Sequence, residues 1–515
     1  MNEQSQIDAV CIAPHDNTAT LLRDVHAGES IAVGMPADGS RLMLPVLEDI
    51  AFGHKVAVRP IAAGEDVLKY GEVIGRATRA IESGQHVHVD NVVSLRGRGD
   101  DLHAAGPEAG PIAAADHVEF LLKPCVLDAS RASFMGYPRL DGSAGTRNLV
   151  GVISCVVCAN DVVSRLDGIE GVAVFTHQQG CSQTMPDVRA IARVLTNLAL
   201  NPNLGAVLLV SLGCESVPSA EVLKAVQNAG KPARMIVIQE EGGLTASVTR
   251  AKQIVSEMKK EIEAERVAVP ISRLRVGLKC GSSDTTQGLS ANVVVGALTD
   301  VLVAAHAGVV IGETTEFMGA EHIAARNSKN TEVQKRIIKL VDRMEKRALA
   351  VGVDMRGGQP TRGNIAGGLT TIEEKSLGAL AKAGSAVYQD VIDYGTRTDL
   401  PGLVMMDAPG REPEMLTGLA AAGCNLIVFS TGRGAPQGFP FVPVVKVTGN
   451  ARTFDRMREH MDLCVAGLMQ GTESVEGAVG RLLEAVLKTA SGEFTKAECC
   501  GYNNSMNIYV TGPVI

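Results

Sequence analysis

The sequence predicts an α/β protein in which a small N-terminal β domain is joined by a linker to a two-part α/β core with largely parallel sheets. Three features carry this: turn-punctuated β runs at the start, a Gly-, Ala-, Pro- and Asp-rich stretch after them, and, from residue 148 onward, apolar strands alternating with amphipathic helices. A length of 515 residues suggests about three domains. The expected boundaries are 1–97 for the β domain, 98–134 for the linker, 135–270 for the first α/β unit and 271–515 for the second.

In the β domain the runs AVCIA, SIAVGM, HKVAVRPI, EVIGRA and HVHVDNVV recur with Gly28, Gly53, Gly64, Gly71 and Gly84 between them. Helical periodicity is weak, which favours short strands and tight turns. The linker begins GRGDDLHAAGPEAGPIAAAD, a composition suited to crossing a surface. In the first α/β unit LVGVISCVV, VAVFT, AVLLVS and RMIVI read as strands, separated by helices near 185–199, 217–229 and 245–266. In the second, the strands are RVGLKC, GVVIGET, GLVMMD, NLIVFS and FVPVVKV, with helices at 331–350 and 473–490. Such alternation builds parallel sheets, and ligands gather at the carboxyl ends of their strands.

Charged residues make up 21% and hydrophobic ones 45%, an ordinary globular balance. Lys plus Arg is 49 against 57 for Asp plus Glu, a net charge of −8 that speaks against nucleic-acid or anionic-membrane partners. No stretch reads as a membrane span, and MNEQSQIDAV lacks the basic-then-apolar pattern of a secretion signal, so a cytoplasmic location is expected. Eleven cysteines in such a chain read as reduced thiols or metal ligands rather than a disulfide framework.

Several polar and sulfur residues directly follow the expected strands. Cys155 and Cys158 close the first, His177 and Cys181 follow the second, Cys214 and Glu215 the third, and Cys280 with Asp284 follow RVGLKC. A single free Cys is most often a small buried hydrophobe. Five at strand ends, beside glycines and a His, point toward a site. The segments CGSSDTTQG (280–288) and STGRGAPQG (430–438) could cradle an anion on backbone N–H groups, with Arg433 adding a bidentate grip on a carboxylate. Neither is a dinucleotide or P-loop motif. In HVHVD, strand alternation puts His86 and His88 on one face, a spacing suited to a shared metal or acid–base site.

At GYPRLDGSAGTRNLVGVIS (136–154) the chain resembles the opening of the altronate and galactarate dehydratase family, which also includes a sulfolactate sulfo-lyase. The likeness continues through FTHQQGC, LVSLGCE, KCGSSDTTQGLSAN, ETTEFMGAEH, GNIAGGLTTIEEKSLGALAKAG and FSTGRGAPQGFPFVPVVKVTGN. HDN, GHK, YGE and HVHVDN resemble the SAF-type β domain of such enzymes. The resemblance implies a hydro-lyase acting on a hexonic or hexaric sugar acid such as altronate or galactarate, dependent on Fe2+ or another divalent metal such as Mn2+, and giving a 2-keto-3-deoxy acid by α-proton abstraction and β-hydroxyl elimination. Loss of another β-substituent, such as sulfite, is the alternative within the family. A non-catalytic acid-binding protein is the alternative outside it, and a symmetric homodimer is expected.

The expected metal ligands are His15, His54, His86, His88 and Glu72. Lys55, His177, His88 and Glu72 are candidates for proton transfer, with Lys55 alternatively holding a substrate carboxylate. Arg147, Asn148, Ser283, Asp284, Thr431 and Arg433 are expected to bind substrate. Cys158, Cys181, Cys214 and Cys280 form an alternative thiolate set for iron or an iron–sulfur cluster, although their spacings match no ferredoxin pattern and a mononuclear iron is favoured. The chain departs from the family pattern at Ser143, where an Arg is usual, and at Ser282 and Gln287, where Gly and Ser are usual. A pocket short of one cation would suit a monocarboxylate or a different leaving group.

Overall fold

The N-terminal runs close into two small sheets in the computed structural model, which describes residues 7–36, 40–95, 127–355, 359–504 and 506–515. The larger sheet has the order Arg41–Pro45, Ser30–Gly34, Ala9–Val10, Thr18–Leu21, Lys55–Ala57, His86–Val87. All its neighbours are antiparallel except Ala9–Val10 with Ser30–Gly34. The smaller sheet pairs Asp66–Lys69, Glu72–Ala77 and Val92–Val93. Alternation leaves Leu21, Ile31, Val33 and Val56 in a core of the domain's own, while Ala57, Val67, Tyr70 and Ile74 join the large cluster that also holds Ile372 and Leu377. The β domain is therefore packed onto the core.

Most of the expected linker lies outside the described residues, 96–126 among them. Its final residues already belong to Ser133–Pro138, which pairs antiparallel with Val267–Pro270 and with Ala144–Gly145. The first α/β unit follows as a four-stranded parallel sheet in the order Val172–Phe175, Leu149–Ser154, Leu204–Ser211, Ala233–Val237. The second unit carries seven strands, all parallel, in the order Tyr388–Ile392, Gly402–Met406, Gly308–Ile311, Arg275–Gly281, Leu426–Thr431, Val444–Thr448, Leu463–Cys464. The two edge strands carry little sequence signal. One mixes polar residues into YQDVI, and the other is two residues long.

Helices Met185–Ala199, Thr331–Ala350 and Val475–Ala490 sit where the 3.6-residue periodicity places them. The segment Gln287–Ala304 has the length and low charge of a membrane span, and 78% of it is buried inside the protein. It begins with a π-helical turn, Gln287–Ala291, a distortion frequent at functional sites. The two α/β units share a core in which the rings of Phe175 and Phe439 lie 6.0 Å apart.

Candidate functional site

His54 enters strand Lys55–Ala57, and His86 and His88 lie on and just beyond the neighbouring strand. The register pairs Val56 with His86 and Lys55 with Val87. This antiparallel pairing gathers the three rings, with centroids 4.7 to 5.1 Å apart, His86 stacked on His88 and His54 tilted against both. His54 Nδ1 and His86 Nε2 are 2.9 Å apart, and one ring nitrogen from each of the three lies within 4.8 Å of the others. Burial disfavours the charged imidazoles: His88 is pushed down to about 3 and His86 to about 4, and His54 is lowered by the same desolvation and then by Lys55. All three are therefore neutral near pH 7, the form that ligates metal. His88 Nδ1 is buried with no hydrogen-bond partner. Three neutral borderline donors with one orphaned nitrogen fit a divalent iron or manganese.

The facing wall comes from the core. An added Cβ on Gly53, next to His54, would lie 3.6 Å from Gly367 O, and one on Gly367 would lie 2.7 Å from Asp284 Cβ. One on Gly368 would fall 2.2 Å from Gly53 O, so the two backbones meet only because that residue is glycine. Asp284 is buried and accepts from Thr286 Oγ1 at 2.6 Å, Gln287 N at 3.3 Å and Asn450 Nδ2 at 2.9 Å. Burial nevertheless raises its carboxyl above the usual range. Ser283 and Asp284 line a cavity of about 10 Å³ with Tyr70, Gln287 and Glu374, room for one water. Arg433 is exposed, and its Nη1 donates to Gly363 O at 2.7 Å.

Several expected site residues turn out to hold the fold. Lys55 is fully buried and donates to Gly368 O at 2.8 Å and Glu374 Oε2 at 2.9 Å, while Lys69 donates to Glu374 Oε1 at 2.8 Å. Burial lowers Lys55 to about 8, and the two ammoniums hold the Glu374 carboxyl far below its usual range. Lys55 thus fastens the β domain to the core through both bonds. His177 is fully buried, with Nε2 on Ser154 O at 2.9 Å and Nδ1 accepting from Gln179 N at 3.1 Å. Both nitrogens are engaged by backbone groups in this structure.

Arg147 and Asn148 precede strand Leu149–Ser154, which puts them at the amino end of a parallel sheet, away from the carboxyl rim. Arg147 grips Glu498 with two bonds of 2.9 Å, and Asn148 accepts from Arg139 at 2.9 Å and donates to Ile262 O at 2.6 Å. Ser143 sits at the same end, its hydroxyl 2.6 Å from Asp141 Oδ1, so the missing cation there does not bear on a pocket at the seam. Thr431 is buried, its Oγ1 accepting from Gly434 N and Ala435 N at 3.0 and 2.9 Å. Glu72 lies 3.8 Å from His322 and 3.9 Å from Arg326, and neither it nor the exposed His15 joins the histidine triad. Asp16, beside His15, instead binds the amides of Ala13, Tyr70 and Gly71, holding Tyr70 at φ 63°.

The four-cysteine set also divides. Cys158, Cys181 and Cys214 are exposed on the four-stranded sheet, whereas Cys280 is buried in the seven-stranded one and donates to Glu316 Oε2 at 3.0 Å. Behind it lies a cluster that the expected site did not include. Lys279 pairs with Glu313, and Lys382 bonds Glu313 Oε2 at 3.0 Å and Glu316 Oε2 at 2.6 Å. The only sequence signal was two acids three residues apart after GVVIG. Likewise, Glu374 is one of two adjacent acids in a helix, and only packing reveals its two lysines.

Three family models cover the chain: the SAF domain of altronate/galactarate dehydratase at residues 7–95, the D-galactarate dehydratase/altronate hydrolase second domain at 136–263, and the D-galactarate/altronate dehydratase C-terminal domain at 271–513. Altronate dehydratase of Bacillus subtilis is 30% identical over 500 residues, covering 95% of this chain and 96% of that protein. The L-threo-forming galactarate dehydratase of Escherichia coli is 31% identical, covering 97% and 96%. The β subunit of the (2R)-sulfolactate sulfo-lyase of Chromohalobacter salexigens is 34% identical over 376 residues, covering 72% and 95%.

Proposed function

Because this chain belongs to the D-galactarate/altronate dehydratase family, we propose that it is a metal-dependent hydro-lyase that converts a sugar acid to its 2-keto-3-deoxy product. The observation that supports this most is the meeting of three neutral imidazoles, one with an orphaned nitrogen, opposite the Asp284 loop at the seam between the β domain and the core.

The reaction removes the proton α to a carboxylate and breaks the C–O bond to the β-hydroxyl, which departs with a proton as water. The resulting enol then tautomerises to the keto acid. An α-proton beside a carboxylate is a very weak acid, so the enediolate needs a cation beside it. A divalent iron or manganese held by His54, His86 and His88 would supply that Lewis-acid stabilisation when bound. Asp284 is the core group suited to move a proton at its carboxylate, since burial brings its affinity closer to working pH. Asn450 and Thr286 fix its orientation. Arg433 stands exposed at the mouth, where its remaining N–H groups can hold a substrate carboxylate. Lys55, Lys69 and Glu374 keep the two walls in register.

The test is keto-acid formation from altronate and galactarate by protein purified anaerobically with Fe2+, before and after exhaustive chelation. Activity should vanish on chelation and return with Fe2+ or Mn2+. Keto-acid formation that survives complete metal removal would overturn the metal-dependent reading. Sulfite release from sulfolactate without keto acid from either sugar acid would move the chain to the leaving group named for its sulfo-lyase relative.

A further inference from the structure

The three loops that leave the carboxyl ends of adjacent strands in the four-stranded sheet are bonded to one another through their backbones. Val157 N donates to Gln179 O at 2.9 Å, and Ser216 N and Val217 N donate to Gly180 O at 3.0 and 3.4 Å. Cys158, Cys181 and Cys214 lie within two residues of these bonds, one from each loop, and all three are exposed. The loops meet this closely because Gly180 lacks a side chain: a Cβ there would stand 2.7 Å from Cys155 O. Ser182, immediately after Cys181, is held at φ 52°, a conformation that costs a non-glycine residue roughly 1–2 kcal/mol. Glu215 accepts from Gly213 N at 2.8 Å and from the hydroxyls of Ser211 and Ser219, so the Cys214 loop is held from both sides. The side-chain contacts of two of the thiols are loose: Ser182 Oγ lies 3.7 Å from Cys181 and Gln239 Nε2 3.7 Å from Cys214.

We infer that Cys158, Cys181 and Cys214 are the protein ligands of a cuboidal iron–sulfur cluster, with its fourth iron left free of protein. A lone tetrahedral zinc would need the sulfurs about 3.8 Å apart, from Zn–S bonds of about 2.3 Å. The three thiols are not among the ligand groups that close to within 4.8 Å. A cuboidal cluster binds each thiolate to a different iron and so takes them farther apart than a single metal does. On assembly each cysteine gives up its thiol proton and forms one Fe–S bond. Cys155, in the same loop but buried and pushed up to about 12 by desolvation, is unsuited to be a ligand. Cys280 lies in the other sheet. This site is separate from the histidine seam and stands whether or not that seam holds the catalytic metal.

The test is iron and acid-labile sulfide analysis of full-length protein made anaerobically with iron and sulfide, together with its visible absorption. About four sulfides per chain are expected, with a visible band that bleaches on reduction. Cys158→Ser, Cys181→Ser and Cys214→Ser should each lower sulfide at least tenfold, while Cys499→Ser and His88→Ala keep it. Should a serine variant fail to fold, wild-type protein answers the question: alkylation mapped by mass spectrometry should spare these three thiols in the loaded protein and label them after the cluster is stripped. Wild-type protein without sulfide, stoichiometric zinc in its place, or equal labelling of the three thiols before and after stripping would each overturn the assignment.

Discussion

Among the described residues, two places bring three metal-ligating atoms within 4.8 Å of one another: His54, His86 and His88 at the β-domain seam, and Cys280, Glu313 and Glu316 inside the core. They differ in what already balances them. The core cluster is fully buried, and its two carboxylates are bonded by Lys279 and Lys382, so charge and hydrogen bonds are satisfied without any ion. The seam is half-buried, its rings lack a hydrogen-bonded carboxylate, and one nitrogen has no partner. Proximity alone therefore does not make a metal site; unmet coordination demand does.

The sharpest way to break this comparison is His88→Ala. Turnover should fall about a thousandfold or more, as when several kcal/mol of Lewis-acid stabilisation is lost, with bound non-sulfide metal lost and the thermal transition nearly unmoved. If turnover and metal content were those of the wild type, the seam would not be the site. Lys382→Met tests the other side. Removing one ammonium from a fully buried cluster should cost about 3–5 kcal/mol of stability by urea unfolding, with no gain of metal. Uptake of a divalent ion by that variant would show that the core cluster differs from the seam only by its lysine.

Lys446 sharpens the same point, because its buried Nζ has no hydrogen-bond partner and rests 5.2 Å from the Phe429 ring centre. Desolvation lowers it from 10.5 to about 7. Between those values the unfolded chain binds more protons than the folded one, so the free energy of unfolding contributed by Lys446 rises with pH across that window. Below about 7 both states are protonated and the penalty is at its full size. Lys446→Met should therefore be more stable than wild type at pH 7, with the gap narrowing by up to about 1.4 kcal/mol per pH unit as pH rises. A gap independent of pH would mean that the amine is charged in the fold. The smallest effect concerns Ser282, held at φ 49° where glycine is at ease. Ser282→Gly should stabilise by about 1 kcal/mol in thermal unfolding, and a loss of stability would show that the hydroxyl has a role in the loop.

The sequence by itself determined the layout: strands alternating with helices, the β domain ahead of them, and the pairing of His86 with His88 on one face. These follow from periodicities of 2 and 3.6 residues, which are local. It also located the strand-end cysteines, because in a parallel sheet position after a strand fixes the rim. The tertiary structure alone decided which polar residues remain available for chemistry. His177, Lys55, Arg147 and Thr431 have the side chains a site needs, yet backbone carbonyls, backbone amides or buried ions from distant segments consume their hydrogen-bonding capacity. The Gly53 backbone beside His54 and the loop packed on Asp284 approach this closely only because Gly367 and Gly368 lack side chains. Satisfaction of donors and acceptors depends on contacts made across hundreds of residues, such as Lys55 to Glu374, and no local pattern encodes them.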